Sequence, residues 1–295
     1  MLQAIDPVTA TQMALTAGAD IAFAFAVGAC ALGLGGAARM RVIRVAMLVW
    51  LVLQGFYLPL QASAMSGAAP YAALPMVPLV ITQSHFGVMW AVGVTAGIVA
   101  LATAFTKACG RATWSASTVL LAAALMVMAF THAGTTHAVD AGDFSIAMLV
   151  HTVHLLSTGL WAGVVVVAAW PLRRLFVATR QSATQYSARL SRLAALAFLV
   201  AIGTGIANAW RGLGGSLAPL TSSLWGWVLC VKLLAVACVV AIGALNRFLN
   251  KKRIRQGDPD ALSAFGRWLA AEAYLMIVVL ILASVLGHSM PAATG

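Results

Sequence analysis

The chain consists of eight long apolar segments separated by short polar connections. A helix needs about 20 residues to cross the hydrocarbon core of a bilayer, and each segment is long enough to do so. The predicted spans are residues 12–34, 43–65, 78–106, 114–132, 145–171, 190–212, 222–249 and 268–290. Strict alternation of apolar and polar residues, which a membrane barrel strand requires, is missing. The pattern therefore predicts an all-α integral membrane protein, a bundle of eight transmembrane helices.

The composition agrees with a membrane protein and excludes other classes. Hydrophobic residues make up 62% of the chain and charged residues only 8%, whereas soluble domains carry roughly 25% charged residues. The net charge of +11 comes from residues in short connections rather than from one basic face or tail, so nucleic acid is not an expected partner. The expected partner is the lipid bilayer. The chain also lacks a phosphate-binding loop, which argues against ATP-driven pumping.

The basic residues orient the predicted bundle. Of the 18 Lys and Arg residues, 16 follow the first, third, fifth and seventh helices. They are Arg39, Arg41, Arg44, Lys107, Arg111, Arg173, Arg174, Arg180, Arg189, Arg192, Arg247, Lys251, Lys252, Arg253, Arg255 and Arg267. Loops rich in Lys and Arg face the cytoplasm. The prediction is a multi-pass membrane protein whose basic loops are cytoplasmic and whose two termini both face outward.

All six histidines fall at or near one face of this predicted topology. They are His85, His132, His137, His151, His154 and His288. The third helix is expected to hold its histidine about two turns below the outer surface, and the fourth and eighth helices to end near theirs. Ionisable groups inside a membrane are costly and usually mark a function. The common face therefore predicts a metal or cofactor site that opens on the outer side of the membrane.

Methionines accompany these histidines at helical spacing. Met148 precedes His151 and His154 at intervals of three residues, which makes a slanting stripe on one helix. Met89 lies one turn below His85, and Met128 one turn below His132. Imidazole and thioether ligands together suit copper; thioethers favour Cu(I), and Cu(II) is also compatible with imidazole. The predicted metal ligands are His151, His154, His85, His132, His288, Met148, Met89 and Met128. The competing interpretation is that these residues pack the helices.

Two charged residues lie deep in predicted helices. Asp20 is in the first helix and Lys232 in the seventh, at comparable depth. A buried charge needs a partner, so a salt bridge between the two is expected. The pair would either couple ion movement to protons or simply hold the two helices in place.

Runs of small residues indicate where helices approach closely. The first helix contains AVGACALGLGG at residues 26–36, and the sixth contains GTGIANA at 203–209. Small residues allow helix backbones to come together in membranes. We therefore expect close helix contacts at both runs.

The second half of the chain resembles a known family. The resemblance covers residues 148–291 and is carried by HxxHLL with a following WxG (His151, His154, Trp161, Gly163), TGxxxA (Thr204, Gly205, Ala209), WGxxLxxK (Trp225 to Lys232), the NR pair Asn246 and Arg247, and the final GHSMP. These motifs are similar to those of the copper-resistance protein D (CopD) family of bacterial inner-membrane proteins. The resemblance implies a multi-pass protein of the bacterial inner membrane, with both termini periplasmic. It also implies copper handling, commonly uptake, beside a separate periplasmic CopC-type copper-binding protein. No enzymatic activity is expected. The resemblance also divides the chain into a four-helix half at 1–144 and a CopD-like four-helix half at 145–295.

The expected function is capture of copper at the periplasmic His/Met site and its transport across the membrane, with uptake as the favoured direction. The same placement of ligands also suits release after export. One alternative is a membrane electron-transfer protein in which an axial His pair binds haem b. Another is a sensor that binds copper without moving it.

Overall fold

A computed structural model describes residues 6–34, 36–106, 115–177, 180–258 and 260–290. Within these ranges the chain is helical and contains no strand, and eight helices are long and apolar enough to cross a membrane. They are α1 (Pro7–Leu32), α2 (Gly36–Ser66), α3 (His85–Thr103), α4 (Ala116–Ala133), α5 (Ile146–Ala169), α6 (Arg180–Gly212), α7 (Leu224–Leu245) and α8 (Ala261–Gly287). The predicted all-α architecture with eight spans is confirmed.

Some predicted boundaries were wrong. The third span does not begin at residue 78, because a separate short helix, Val77–Gln83, precedes α3. His85 is therefore the first residue of α3 rather than two turns inside it. Helices α6 and α8 begin well before residues 190 and 268. The loop residues Lys107 and Arg111 lie outside the described residues, and the orientation of the termini stays a prediction.

Serine side chains set the starts of four helices. The hydroxyls of Ser84, Ser115, Ser145 and Ser223 each accept a hydrogen bond from the backbone N–H three residues later, at the first turns of α3, α4, α5 and α7. This N-cap satisfies a donor that the first helical turn leaves unpaired, and is worth about 1 kcal/mol. Ser84 has extended backbone angles. This break separates the short helix from α3 and moves His85 to the start of α3.

Helices α1 and α5 touch through their backbones. A Cβ atom placed on Gly28 would lie 2.1 Å from the carbonyl carbon of Gly163, and one placed on Gly163 would lie 2.0 Å from the Ala24 carbonyl oxygen. No side chain larger than hydrogen fits at either glycine without moving a helix. Because α1 belongs to the predicted N-terminal half and α5 to the CopD-like half, this contact joins the two halves.

One end of the bundle holds the histidines. We call it the histidine end: α1, α3, α5 and α7 begin there, and α2, α4, α6 and α8 finish there. Toward the opposite end, the segment of α5 from Val164 to Ala169 is almost completely buried and forms part of the main hydrophobic core. The helices are thus densely packed toward the end of α5 that lies away from the histidines.

Candidate metal site

A cavity of about 960 Å³ occupies the half of the bundle near the histidine end. Residues from all eight spanning helices line it. Four of the histidines are among them: His132, His151, His154 and His288. The structure therefore brings imidazoles from α4, α5 and the end of α8 to one cavity.

Aromatic side chains form the floor of this cavity. Phe23, Trp161 and Phe198 are the lining residues of α1, α5 and α6 that lie furthest from the histidine end. The Trp161 and Phe198 rings are 5.0 Å apart between centroids, and Phe23 packs against Gly159. Directly beyond them lies the Gly28–Gly163 contact. A hydrated cation in the cavity would have to pass this apolar layer to reach the other end.

His151 and His154 form a pair on α5. Their rings are nearly parallel, with centroids 6.3 Å apart and an angle of 24° between the planes. Both side chains are half-buried and face α6. The spacing of three residues puts the two imidazoles one above the other, as the sequence predicts.

The hydrogen bonds of His154 determine which ring nitrogen carries the proton. Its Nδ1 lies 3.1 Å from the Ala201 carbonyl oxygen and 3.1 Å from Thr204 Oγ1. A carbonyl oxygen can only accept, and the Thr204 hydroxyl already donates to Val200 O at 2.7 Å, so Nδ1–H must be the donor. In the neutral ring the lone pair then resides on Nε2. This is the arrangement in which a histidine binds a metal through Nε2 while a second group holds the ring in place.

His151 contacts Asn208, which lies on α6 like the partners of His154. Its Nδ1 lies 3.2 Å from the Asn208 side-chain nitrogen. The Asn208 Oδ1 atom is buried and has no hydrogen-bond partner. An unpaired buried carbonyl lowers the stability of the folded protein by about 1–3 kcal/mol. An unpaired oxygen beside a candidate metal ligand therefore calls for an explanation.

Asp20 and Lys232 line the same cavity but do not form the expected salt bridge. Among the ion pairs of the described chain, Asp20 is joined to His132, with 3.6 Å between Oδ1 and Nε2. Lys232 lines this cavity together with Asp20 and both α5 histidines. The prediction of a direct Asp20–Lys232 salt bridge was therefore wrong, because α4 presents His132 to the carboxylate.

His288 lies just beyond the end of α8 and is held by two hydrogen bonds. Its Nδ1 donates to the Ser284 carbonyl at 2.9 Å, so Nε2 accepts from the Tyr57 hydroxyl at 3.4 Å. Burial lowers the pKa of His288 below its usual value, with the Ser284 hydrogen bond acting in the opposite direction. The ring is therefore neutral near neutral pH, which is the form that binds metals.

The predicted methionine and histidine ligands do not all reach the cavity. Met89 and Met128 line it, whereas His85 and Met148 are not among its lining residues. His85 is exposed and its Nε2 lies 2.7 Å from Asp143 Oδ1. Met148 is completely buried and packs with Ala133. The side chain of His137, at the start of a short helix, is outside the described part of the chain.

The site is a pair of imidazoles rather than a preformed cage. In the described parts of the chain, no three His, Cys, Asp or Glu side chains are grouped closely enough to hold a metal ion. Two imidazoles supplemented by thioether sulfur fit the soft ion Cu(I), which accepts low coordination numbers, better than they fit Mg²⁺ or Ca²⁺. The chemistry of this donor set would suit a soft cation at the wall of the cavity.

Sequence reasoning missed the α6 residues that hold the histidines. Thr204 and Asn208 are four residues apart and therefore share a face of α6, opposite His154 and His151. The small-residue run contributes here, because Gly205 packs directly against the His154 ring. Polar residues at helical spacing inside an apolar span were the available signal.

Comparisons with known proteins give a consistent result. A sequence model described as "Copper resistance protein D" matches residues 184–286, and one described as "Copper resistance protein D-like, N-terminal domain" matches residues 5–145. Copper resistance protein D of Pseudomonas syringae pv. tomato is 31% identical over 212 residues, which is 68% of this chain and 66% of the relative. Inner membrane protein YebZ of Escherichia coli (strain K12) is 27% identical over 141 residues, 48% of each chain. The alignments thus span less than two thirds of either relative. No solved structure matches the chain.

Proposed function

Because the chain belongs to the copper resistance protein D family, we propose that it captures copper in the cavity at its histidine end and transports it across the inner membrane. His151 and His154 bind the ion in this proposal, His132 and His288 lie in the same cavity, and Met89 and Met128 supply soft sulfur ligands. Copper is the substrate, with Cu(I) favoured over Cu(II).

The observation that supports this proposal most strongly is the common cavity. Residues distant in sequence, from His132 on α4 to His288 after α8, line it together with the α5 pair. Each of His154 and His288 donates from Nδ1 to a backbone carbonyl, which leaves Nε2 with the lone pair. Packing alone does not require imidazoles of four different positions to line one space.

The orientation and partners of the protein are part of the same proposal. In this proposal the histidine end and both termini face the periplasm, which the distribution of basic residues among the connections supports. Uptake is the favoured direction, and a separate periplasmic CopC-type protein would deliver the copper. The division into halves at residues 144 and 145 is retained as a proposal, with α1 and α5 packed across it.

Transport can be tested with the purified full-length protein in proteoliposomes. Cu(I) is supplied outside with a reductant, and a Cu(I)-sensitive dye reports its arrival in the lumen. We expect accumulation above that of protein-free vesicles. Binding without accumulation would contradict transport and favour a sensor role.

The haem alternative has a separate readout. Axial ligands of haem b approach the iron from opposite faces, whereas His151 and His154 lie on one helix with stacked rings. This geometry disfavours that pair as axial ligands. A Soret band at about 400–430 nm in the purified protein would nonetheless establish haem and overturn the copper proposal.

Asp20 and Lys232 are proposed to couple copper movement to protons. A copper ion bound by the α5 pair would lie in the same cavity as the Lys232 ammonium, and like charges repel. Asp20, which contacts His132, is the neighbouring group that can balance this charge. Copper binding and a charged Lys232 therefore oppose one another.

Replacing Lys232 with Met is expected to raise the affinity for Cu(I) about fivefold, equivalent to about 1 kcal/mol, because the repulsion is removed. Uptake should at the same time lose its response to an imposed pH gradient. Affinity is measured by competition with a chromophoric chelator and uptake in proteoliposomes. Lys252→Met, a change at an exposed lysine beyond α7, is the matched control. Unchanged affinity and an unchanged gradient response would contradict the coupling.

A further inference from the structure

We propose that Asn208 is a positioning residue whose side-chain amide rotates when copper binds to His151. The proposal rests on the function proposed above. It identifies the α6 residue that determines whether His151 can bind copper through Nε2. It depends on the unpaired Asn208 oxygen and on the contact between Asn208 and His151 Nδ1.

The observed contact holds His151 in the form that cannot bind a metal through Nε2. Asn208 presents its Nδ2 to His151 Nδ1 at 3.2 Å, and an amide nitrogen only donates. Nδ1 is therefore the acceptor, and in the neutral ring the proton resides on Nε2. The Asn208 oxygen meanwhile has no partner.

Rotation of the amide by half a turn reverses these roles. The oxygen and nitrogen of an amide have nearly equivalent positions, so rotation places Oδ1 next to His151 Nδ1. Nε2 releases its proton to solvent in the cavity and Nδ1 takes one up, so the ring stays neutral. Nδ1–H then donates to Oδ1, and Nε2 carries the lone pair, as in His154. Copper bound at Nε2 requires this form, so binding supplies the hydrogen bond that the Asn208 oxygen lacks. His154 needs no such rearrangement because the Ala201 carbonyl already accepts from its Nδ1.

The two histidines therefore differ in how the form that binds copper through Nε2 is stabilised. His154 is held permanently in its ligand form by a backbone oxygen, whereas His151 changes form together with Asn208. A transporter must release its substrate as well as bind it. A ligand that is stable in two forms allows binding and release at smaller cost than one held permanently in place.

Substitutions on α6 test this inference in the full-length protein. Asn208→Leu removes the amide and keeps the number and branching of side-chain heavy atoms. We expect it to weaken Cu(I) binding by about 10- to 100-fold, the usual range for the group that orients a metal-bound histidine. Thr204→Val, one turn away on the same face, leaves the Ala201 carbonyl as acceptor for His154 and should stay within about twofold of wild type. Affinities are measured by competition with a chromophoric chelator under reducing conditions.

A conservative variant separates positioning from packing. Asn208→Asp offers only oxygens to His151 Nδ1, so it should hold the ligand form and restore Cu(I) affinity to at least the wild-type value. A purely structural role predicts that Asp is as damaging as Leu, since a carboxylate is costlier to bury. Raman bands of the copper-bound imidazoles, which distinguish Nε2 from Nδ1 ligation, provide the spectroscopic readout; we expect Nε2 ligation in the wild type and the Asp variant.

The outcomes distinguish this inference from the proposed function. If Asn208→Leu binds Cu(I) as tightly as wild type, or if the Asp variant is as weak as the Leu variant, the role of Asn208 is wrong while copper binding stands. If the wild-type protein binds no Cu(I), the proposed function itself fails. If the Asn208→Leu protein does not fold, the role of Asn208 is tested by the Cu(I) affinity of Asn208→Asp and by the Raman bands of the copper-bound imidazoles.

Discussion

Replacement of both His151 and His154 by alanine is expected to abolish stoichiometric copper binding and leave the protein folded. The two rings are stacked on one helix and half-buried at the cavity wall. Loss of both removes the two imidazoles that the proposal assigns to the ion. His132, His288 and the thioethers remain in the cavity, but the proposal assigns them only a supporting role. Copper per chain, by elemental analysis after gel filtration, should fall from about one to near zero. The elution volume and helical circular dichroism should be unchanged.

The matched control for this pair is His85→Ala. His85 is exposed, pairs with Asp143 and is not a lining residue of the cavity. Copper binding should therefore be retained in this variant. Retained binding in the double variant would remove the α5 pair from the site, and loss of binding in His85→Ala would return that residue to it.

The second large effect is expected at the contact between α1 and α5. Gly163→Ala would place a Cβ atom 2.0 Å from the Ala24 carbonyl oxygen, well inside van der Waals contact. Neither helix can give way by a side-chain rotation, because both contacting surfaces are backbone. We expect destabilisation by about 3 kcal/mol or more, at the upper end of the range for overpacked cores. Unfolding in mixed detergent micelles, followed by circular dichroism, measures this change.

Gly203→Ala is the appropriate comparison for this substitution. Gly203 lies within α6, and a Cβ atom added there meets no other atom within 4 Å. Alanine in an unhindered helical position is neutral or stabilising by up to about 1 kcal/mol. Equal stability of the Gly163→Ala and Gly203→Ala proteins would contradict the close approach of α1 and α5.

The number and type of the spanning helices could be predicted from the sequence, because membrane-spanning helices must be long and apolar. Ser84 shows where this reasoning fails. Hydropathy does not distinguish one helix from two when a serine cap interrupts an apolar run, so it predicts a single span over residues 78–106. That prediction puts His85 too deep in the membrane.

Part of the candidate metal site could also be predicted from the sequence, through helical spacing. The three-residue spacing of His151 and His154 places them together on any helix, and they are together. Which residue of another helix meets Asp20 depends on helix rotation and tertiary packing, which a single sequence does not specify. The sequence therefore predicted Lys232 as its partner, whereas the structure has His132. The α6 groups that hold the imidazoles were missed for the same reason.

Copper is proposed to bind in the cavity at the histidine end, between the side chains of His151 and His154. The most direct measurement is an experimental structure of the full-length protein soaked in Cu(I), with an anomalous difference map calculated at the copper edge. We expect an anomalous peak in the cavity, adjacent to Nε2 of both α5 histidines. A peak at His85 and Asp143, or no peak within the cavity, would contradict this proposal.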